Sequence, residues 1–122
     1  MSVDFVNDYR IDLNLGMRSL ERTFVIRNDG DIDLNYSVKI GSIISNIVSD
    51  YLIKCDLHKN DQLILSKDVP LQEKVLEKDI TLKSNEEVRY RLVMYYVGDE
   101  QEFSYKANIV VEQNSLDVNL LE

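Results

Sequence analysis

The sequence predicts an all-β fold: one antiparallel two-sheet sandwich, Ig-like or jelly-roll-like, with one or two short helical turns. Three observations carry this. Apolar and polar residues alternate with period two along most of the chain, the signature of strands with one buried and one wet face. Clusters of Asn, Asp, Gly and Ser interrupt those runs at short intervals. The spacing gives roughly seven to nine short strands, the number expected of a sandwich with Greek-key-like links. At 122 residues the chain is the size of one domain, and residues 1–122 are read as a single unit.

The elements follow in order. Tyr9, Ile11, Leu13 and Leu15 alternate with polar residues in a first strand. Residues 23–27 form another, and Asn28-Asp29-Gly30-Asp31 reads as a hairpin turn into the clearest alternation, Ile32, Leu34, Tyr36, Val38 and Ile40. Ile43, Ile44, Ile47, Val48 and Tyr51 share a helical face, so residues 42–50 are expected to form a short helix or an irregular crossover. Cys55 lies in a further alternating run that ends at the Asn60-Asp61 turn. Residues 71–78, just after Pro70, are a second candidate for a helical turn. Beyond the Ser84-Asn85-Glu86-Glu87 turn, residues 88–97 are apolar on both faces, as in a central strand or one whose outer face a partner covers. Gly98-Asp99-Glu100 then leads into Phe103, Tyr105, Ala107, Ile109 and Val111.

Composition narrows the function. Hydrophobic residues make up 44% and charged residues 30%, a folded composition, and no apolar run is long enough to span a bilayer. With 14 Lys and Arg against 22 Asp and Glu, the net charge is −8. Phosphate backbones and anionic membranes both require a basic surface, so neither nucleic acid nor membrane insertion is expected. The charge suits a subunit that stays soluble until it assembles, and equally a protein that needs only solubility.

Groups able to do chemistry are few. His58 is the only histidine and reads as a surface residue at a strand end. Cys55, the only cysteine, reads as a small core side chain, and three-residue spacing in a strand puts it on the face opposite His58. Zinc-protease spacing, a phosphate-binding glycine loop and a nucleophile elbow are all missing. Asp29, Asp31 and Asp33 alternate near a turn and suggest Ca²⁺. An EF-hand's glycine and final glutamate are lacking, however, so the plainer reading is a solvated hairpin. No catalytic residue, metal or cofactor is expected.

Binding features are better represented. Tyr36, Tyr90 and Tyr105 have inward phase, with hydroxyls expected near the sandwich rim. Val93, Tyr95 and Val97 have the opposite phase and form a candidate contact stripe, unless the chain's own crossover or tail covers them. Ile11-Asp12-Leu13-Asn14-Leu15 is echoed by Leu116-Asp117-Val118-Asn119-Leu120. Such marginal strands complete their own sheet or pair with an open edge on a neighbour. Tyr9, Ile11, Leu13, Leu15, Leu116, Val118 and Leu120 are therefore candidate assembly residues, and residues 1–16 and 115–122 the candidate exchangeable strands.

Residues 23–33, with Asn28-Asp29-Gly30 between two strands, resemble the start of TasA and camelysin-type proteins. Residues 50–53 resemble that family's middle strand. Residues 80–94 resemble its leucine, turn, acidic, long-strand segment, and residues 109–113 its closing strand. The resemblance implies a secreted or cell-surface bacterial protein with a jelly-roll-like sandwich, built into biofilm matrix fibres by terminal-strand exchange. Partners would be copies of itself or another surface or matrix protein. The metalloprotease activity attributed to camelysins is not expected, because no zinc motif is present. Met1-Ser2-Val3-Asp4 does not resemble a signal peptide, so export implies a removed leader and the alternative is the cytoplasm. The second functional expectation is an Ig-like module of a surface adhesin or phage particle that binds a ligand through its loops.

Overall fold

The computed structural model describes residues 1–49, 51–69 and 71–114. Among the described residues nine strands form two antiparallel sheets: β1 (Ser2–Phe5), β2 (Arg10–Asn14), β3 (Ser19–Arg27), β4 (Leu34–Ser45), β5 (Ile53–Lys59), β6 (Gln62–Asp68), β7 (Lys74–Leu82), β8 (Glu87–Tyr96) and β9 (Ser104–Gln113). One sheet has the order β1-β3-β8-β5-β6 and the other β2-β9-β4-β7. Alternation places Phe24, Ile26, Leu57, Tyr90, Leu92 and Met94 from the first sheet against Ile11, Leu13, Tyr36, Val38, Ile40 and Tyr105 from the second, all fully or almost fully buried. The two-faced apolar run at residues 88–97 becomes β8, in the middle of the larger sheet.

Residues 28–33 do not make a hairpin. Strand β3 lies in one sheet and β4 in the other, so the segment is a corner between sheets. Buried Asn28 fixes it: its side-chain amide donates to the carbonyls of Ile32 (2.8 Å) and Leu82 (2.9 Å), and its Oδ1 accepts from Gly30 N–H. Ile32 falls before β4 begins and is 69% exposed, although its phase matched the buried run that follows. An Asn-x-Gly turn satisfies the same local rules whether the next strand pairs back or crosses over.

Neither helical turn forms among the described residues. Strand β4 continues to Ser45 through a bulge at Ser42, whose φ of 55° shifts the register between Gly41 and Ile44 on β9. Past the bulge Ile43 packs against the core, while Ile44 faces out. Residues 71–78 run into β7 instead, with Leu76 buried and Val75 exposed. Pairing with β9 and β4 outweighs the local helical spacing in both places. The Asn60-Asp61 turn forms as expected, both residues having positive φ (48° and 67°), the geometry of a two-residue hairpin.

Candidate assembly surfaces

Two cross-sheet contacts fix how the sheets overlie. Arg22 on β3 donates through Nε to the Arg10 carbonyl on β2 (2.9 Å), and Lys59 on β5 meets Glu77 on β7 (3.4 Å). These contacts set β2 over β3 and β7 over β5, and β6 is a terminal strand of the larger sheet, where Leu65 packs against the core. None of its seven residues is buried; Leu63 and Ile64 are both exposed. A two-residue hairpin joins β6 to β5, with a bulge at Ile64 where the register shifts. An antiparallel edge strand bonded on one side leaves every second N–H and C=O turned outward.

The other three edges are less open. Strands β1 and β2 have four and five residues. The guanidinium of Arg27 bonds Asp4 on β1 and Glu87 on β8. Strand β7 is bent by a bulge at Asp79 (φ 56°), where Asp79 N–H donates to Ser37 Oγ, and it carries Lys74, Lys78 and Asp79. Bulges and charges of this kind discourage edge pairing.

The candidate assembly residues fall in three places. Ile11 and Leu13 are buried in β2, which pairs with β9, while Tyr9 and Leu15 flank it half-exposed. Leu116, Val118 and Leu120 lie outside the described residues. Within the candidate stripe, Val93 and Tyr95 are partly covered on the outer face of β8, between Glu21 and Asp56 and between Ser19 and Lys54 respectively. Only Val97, beyond the strand, is largely exposed.

A polar cluster links the sheets, which alternation alone did not reveal. Tyr90 donates its single hydroxyl hydrogen to Glu77 Oε2, so Tyr36 donates to Tyr90 across 2.6 Å. Lys59 closes the cluster by its contact with Glu77 and stands 5.8 Å from the centre of the Tyr90 ring. Burial is the main cause that pushes Tyr36 up to about 12. Burial, reinforced by donation to Glu77, raises Tyr90 further. Both hydroxyls are neutral hydrogen-bond donors at ordinary pH, so the cluster clamps the sheets together. Tyr105 departs from the expected rim position: its hydroxyl is buried with no partner among the described residues, and burial raises its pKa.

The remaining reactive groups stay apart. Cys55 faces the core, where burial pushes its thiol up to about 11, and His58 lies partly exposed on the other face of β5. Asp29 accepts a hydrogen bond from Ser2 Oγ, and Asp33 accepts one from Ser84 N–H. No group of three or more His, Cys, Asp or Glu side chains placed to hold a metal ion occurs among the described residues. Nor is any helix there long and apolar enough to cross a membrane.

No protein-family model matches the chain, and no curated protein matches it. A solved structure described as the infectious bursal disease virus Gx strain is similar at a TM-score of 0.42 and 10% identity, over 90% of this chain. The chain spans 30% of that protein's length, and the likeness is too distant to bear on what this chain does.

Proposed function

We propose that this chain is a structural subunit that assembles with copies of itself by adding a strand to the open edge of β6. The free edge of β6 carries the reading: seven residues with exposed Leu63 and Ile64 and, among the described residues, no strand paired on the outer side. The added strand is Leu116-Asp117-Val118-Asn119-Leu120, whose alternation matches the demands of strand addition. Reach favours a neighbouring copy. Asn114 N–H is still bonded to the Asn35 carbonyl at the start of β4. Two further residues span only about 7 Å. The chain's own β6 lies beyond two strand spacings of about 4.8 Å and a sheet gap of about 10 Å. Head-to-tail addition of this kind does not close and gives fibres. The resemblance to TasA and camelysin-type proteins gives this reading its setting, an extracellular or surface matrix in which the chain works by binding and not by catalysis. A second reading, binding through loops, is favoured by the apolar loop end described below.

Size-exclusion chromatography with light scattering tests the proposal on the full chain, a version lacking residues 115–122, and a Leu63→Lys/Ile64→Lys variant. Oligomers that grow with time and concentration in the full chain, and are lost in both altered forms, are expected. A monomer in all three overturns the proposal. Undiminished growth without residues 115–122 overturns the choice of donor strand.

A further inference from the structure

Exposed apolar side chains gather at one end of the sandwich, where the loops after β2, β4 and β8 meet. Val48 is 88% and Tyr51 68% exposed, and Leu15, Met17 and Val97 stand out beside them. Hydrogen bonds tie the three loops into one surface. Arg18 donates to the Gly98 carbonyl (2.7 Å), Val97 N–H to the Leu52 carbonyl (2.9 Å), and the Asn46 side chain to the Glu102 carbonyl (2.7 Å). The base is stiff: Tyr96 and Phe103 stack at 3.7 Å with the Arg18 guanidinium over both rings. Single exposed apolar residues are ordinary on any surface, but five on three cross-tied loops gather at one end, a concentration of the kind that marks an interface.

The charges around the patch select its occupant. Asp99, Glu100 and Glu102 are exposed on the loop after β8, and none of them takes part in an ion pair among the described residues. Arg18, the nearby cation, is occupied by the rings and the Gly98 carbonyl. A second copy presenting the same end would oppose like charges, and an anionic membrane or nucleic acid would be repelled. We infer that this end of the sandwich docks a cationic protein segment, one in which aliphatic or aromatic anchors enter the Val48, Tyr51 and Val97 patch while flanking Lys or Arg meet Asp99, Glu100 and Glu102. The surface is distinct from the β6 edge and stands whether or not the chain assembles there.

Fluorescence anisotropy with three short labelled peptides tests the inference on the full chain: alternating lysine and leucine, alternating lysine and serine, and alternating glutamate and leucine. Binding of the lysine–leucine peptide alone is expected. It should weaken about tenfold or more in Val48→Ser/Tyr51→Asn and in Asp99→Asn/Glu100→Gln/Glu102→Gln. Asparagine is chosen because Tyr51 has a φ of 74°, which Asn tolerates. Val48→Ser alone, at the most exposed of these positions, provides the same readout if the double variant unfolds. Absence of binding, equal binding of the lysine–serine peptide, or unchanged binding in the variants each overturns the inference.

Discussion

At the scale of single residues, two tyrosines of similar burial play opposite parts. Tyr36 donates to Tyr90 within a satisfied cluster, whereas the Tyr105 hydroxyl is enclosed without a partner. An unpaired buried hydroxyl loses its hydration with nothing in return, while a paired one contributes about 1 kcal/mol net. Tyr105→Phe is therefore expected to leave stability unchanged or raise it by up to about 1 kcal/mol, and Tyr36→Phe to lower it by about 1 kcal/mol. Urea denaturation midpoints of the two variants, compared with the parent, check both signs. Alkaline pH probes the same core. Burial raises Cys55 from 9.0 to about 11 and Tyr36 from 10.0 to about 12. The folded state keeps those protons where the unfolded chain has shed them. Their stabilisation is thus complete below pH 9, falls between 9 and 11 for Cys55, and falls between 10 and 12 for Tyr36. Unfolding free energies measured from pH 8 to pH 11 should decline above 9, less steeply in Cys55→Ala than in the parent.

At the scale of strands and turns, what the sequence makes legible is local and what it hides is long-range. Period two identified Tyr36, Tyr90 and Cys55 as core, and the loss of alternation in residues 88–97 left a central strand or a partner-covered one, of which the first is found, because burial of side chains is written in neighbouring residues. The partner of each strand is not written there. Asn28-Asp29-Gly30 reads as a hairpin until the Leu82 carbonyl, 54 positions from Asn28, becomes the second acceptor for its amide. The bulge at Ser42 likewise makes Ile43 and Ile44 look helical, although they belong to a strand whose register has slipped on β9. The candidate surfaces divide in the same way. Val93, Tyr95 and Val97 were legible as one phase opposite the core, of which only Val97, past the end of β8, is exposed, whereas the free edge of β6 follows from its place at the end of the five-stranded sheet. Gly98 shows how tightly a crossover can be built. A Cβ there would collide with the Tyr96 hydroxyl and Cζ and lie 2.9 Å from its Cε1. Gly98→Ala is accordingly expected to displace the Tyr96–Phe103 stack and destabilise the domain by about 1–3 kcal/mol, measurable by thermal melting.

At the scale of the whole molecule, net charge gives the two proposed surfaces opposite responses to salt. Every copy carries −8, so strand addition between copies works against mutual repulsion. Salt screens that repulsion, the Debye length falling from about 30 Å at 0.01 M to about 10 Å at 0.1 M. Docking of a cationic segment on Asp99, Glu100 and Glu102 is an attraction, which the same salt weakens. Raising sodium chloride from 0.01 to 0.3 M is therefore expected to speed growth of oligomers by light scattering and to loosen the lysine–leucine peptide by anisotropy. If both rates and affinities moved in one direction, a single electrostatic cause would govern them, and two independent surfaces would no longer be required. If growth proved indifferent to salt, contact between copies would have to lie where their charges do not meet, away from Lys67 and Asp68 on β6.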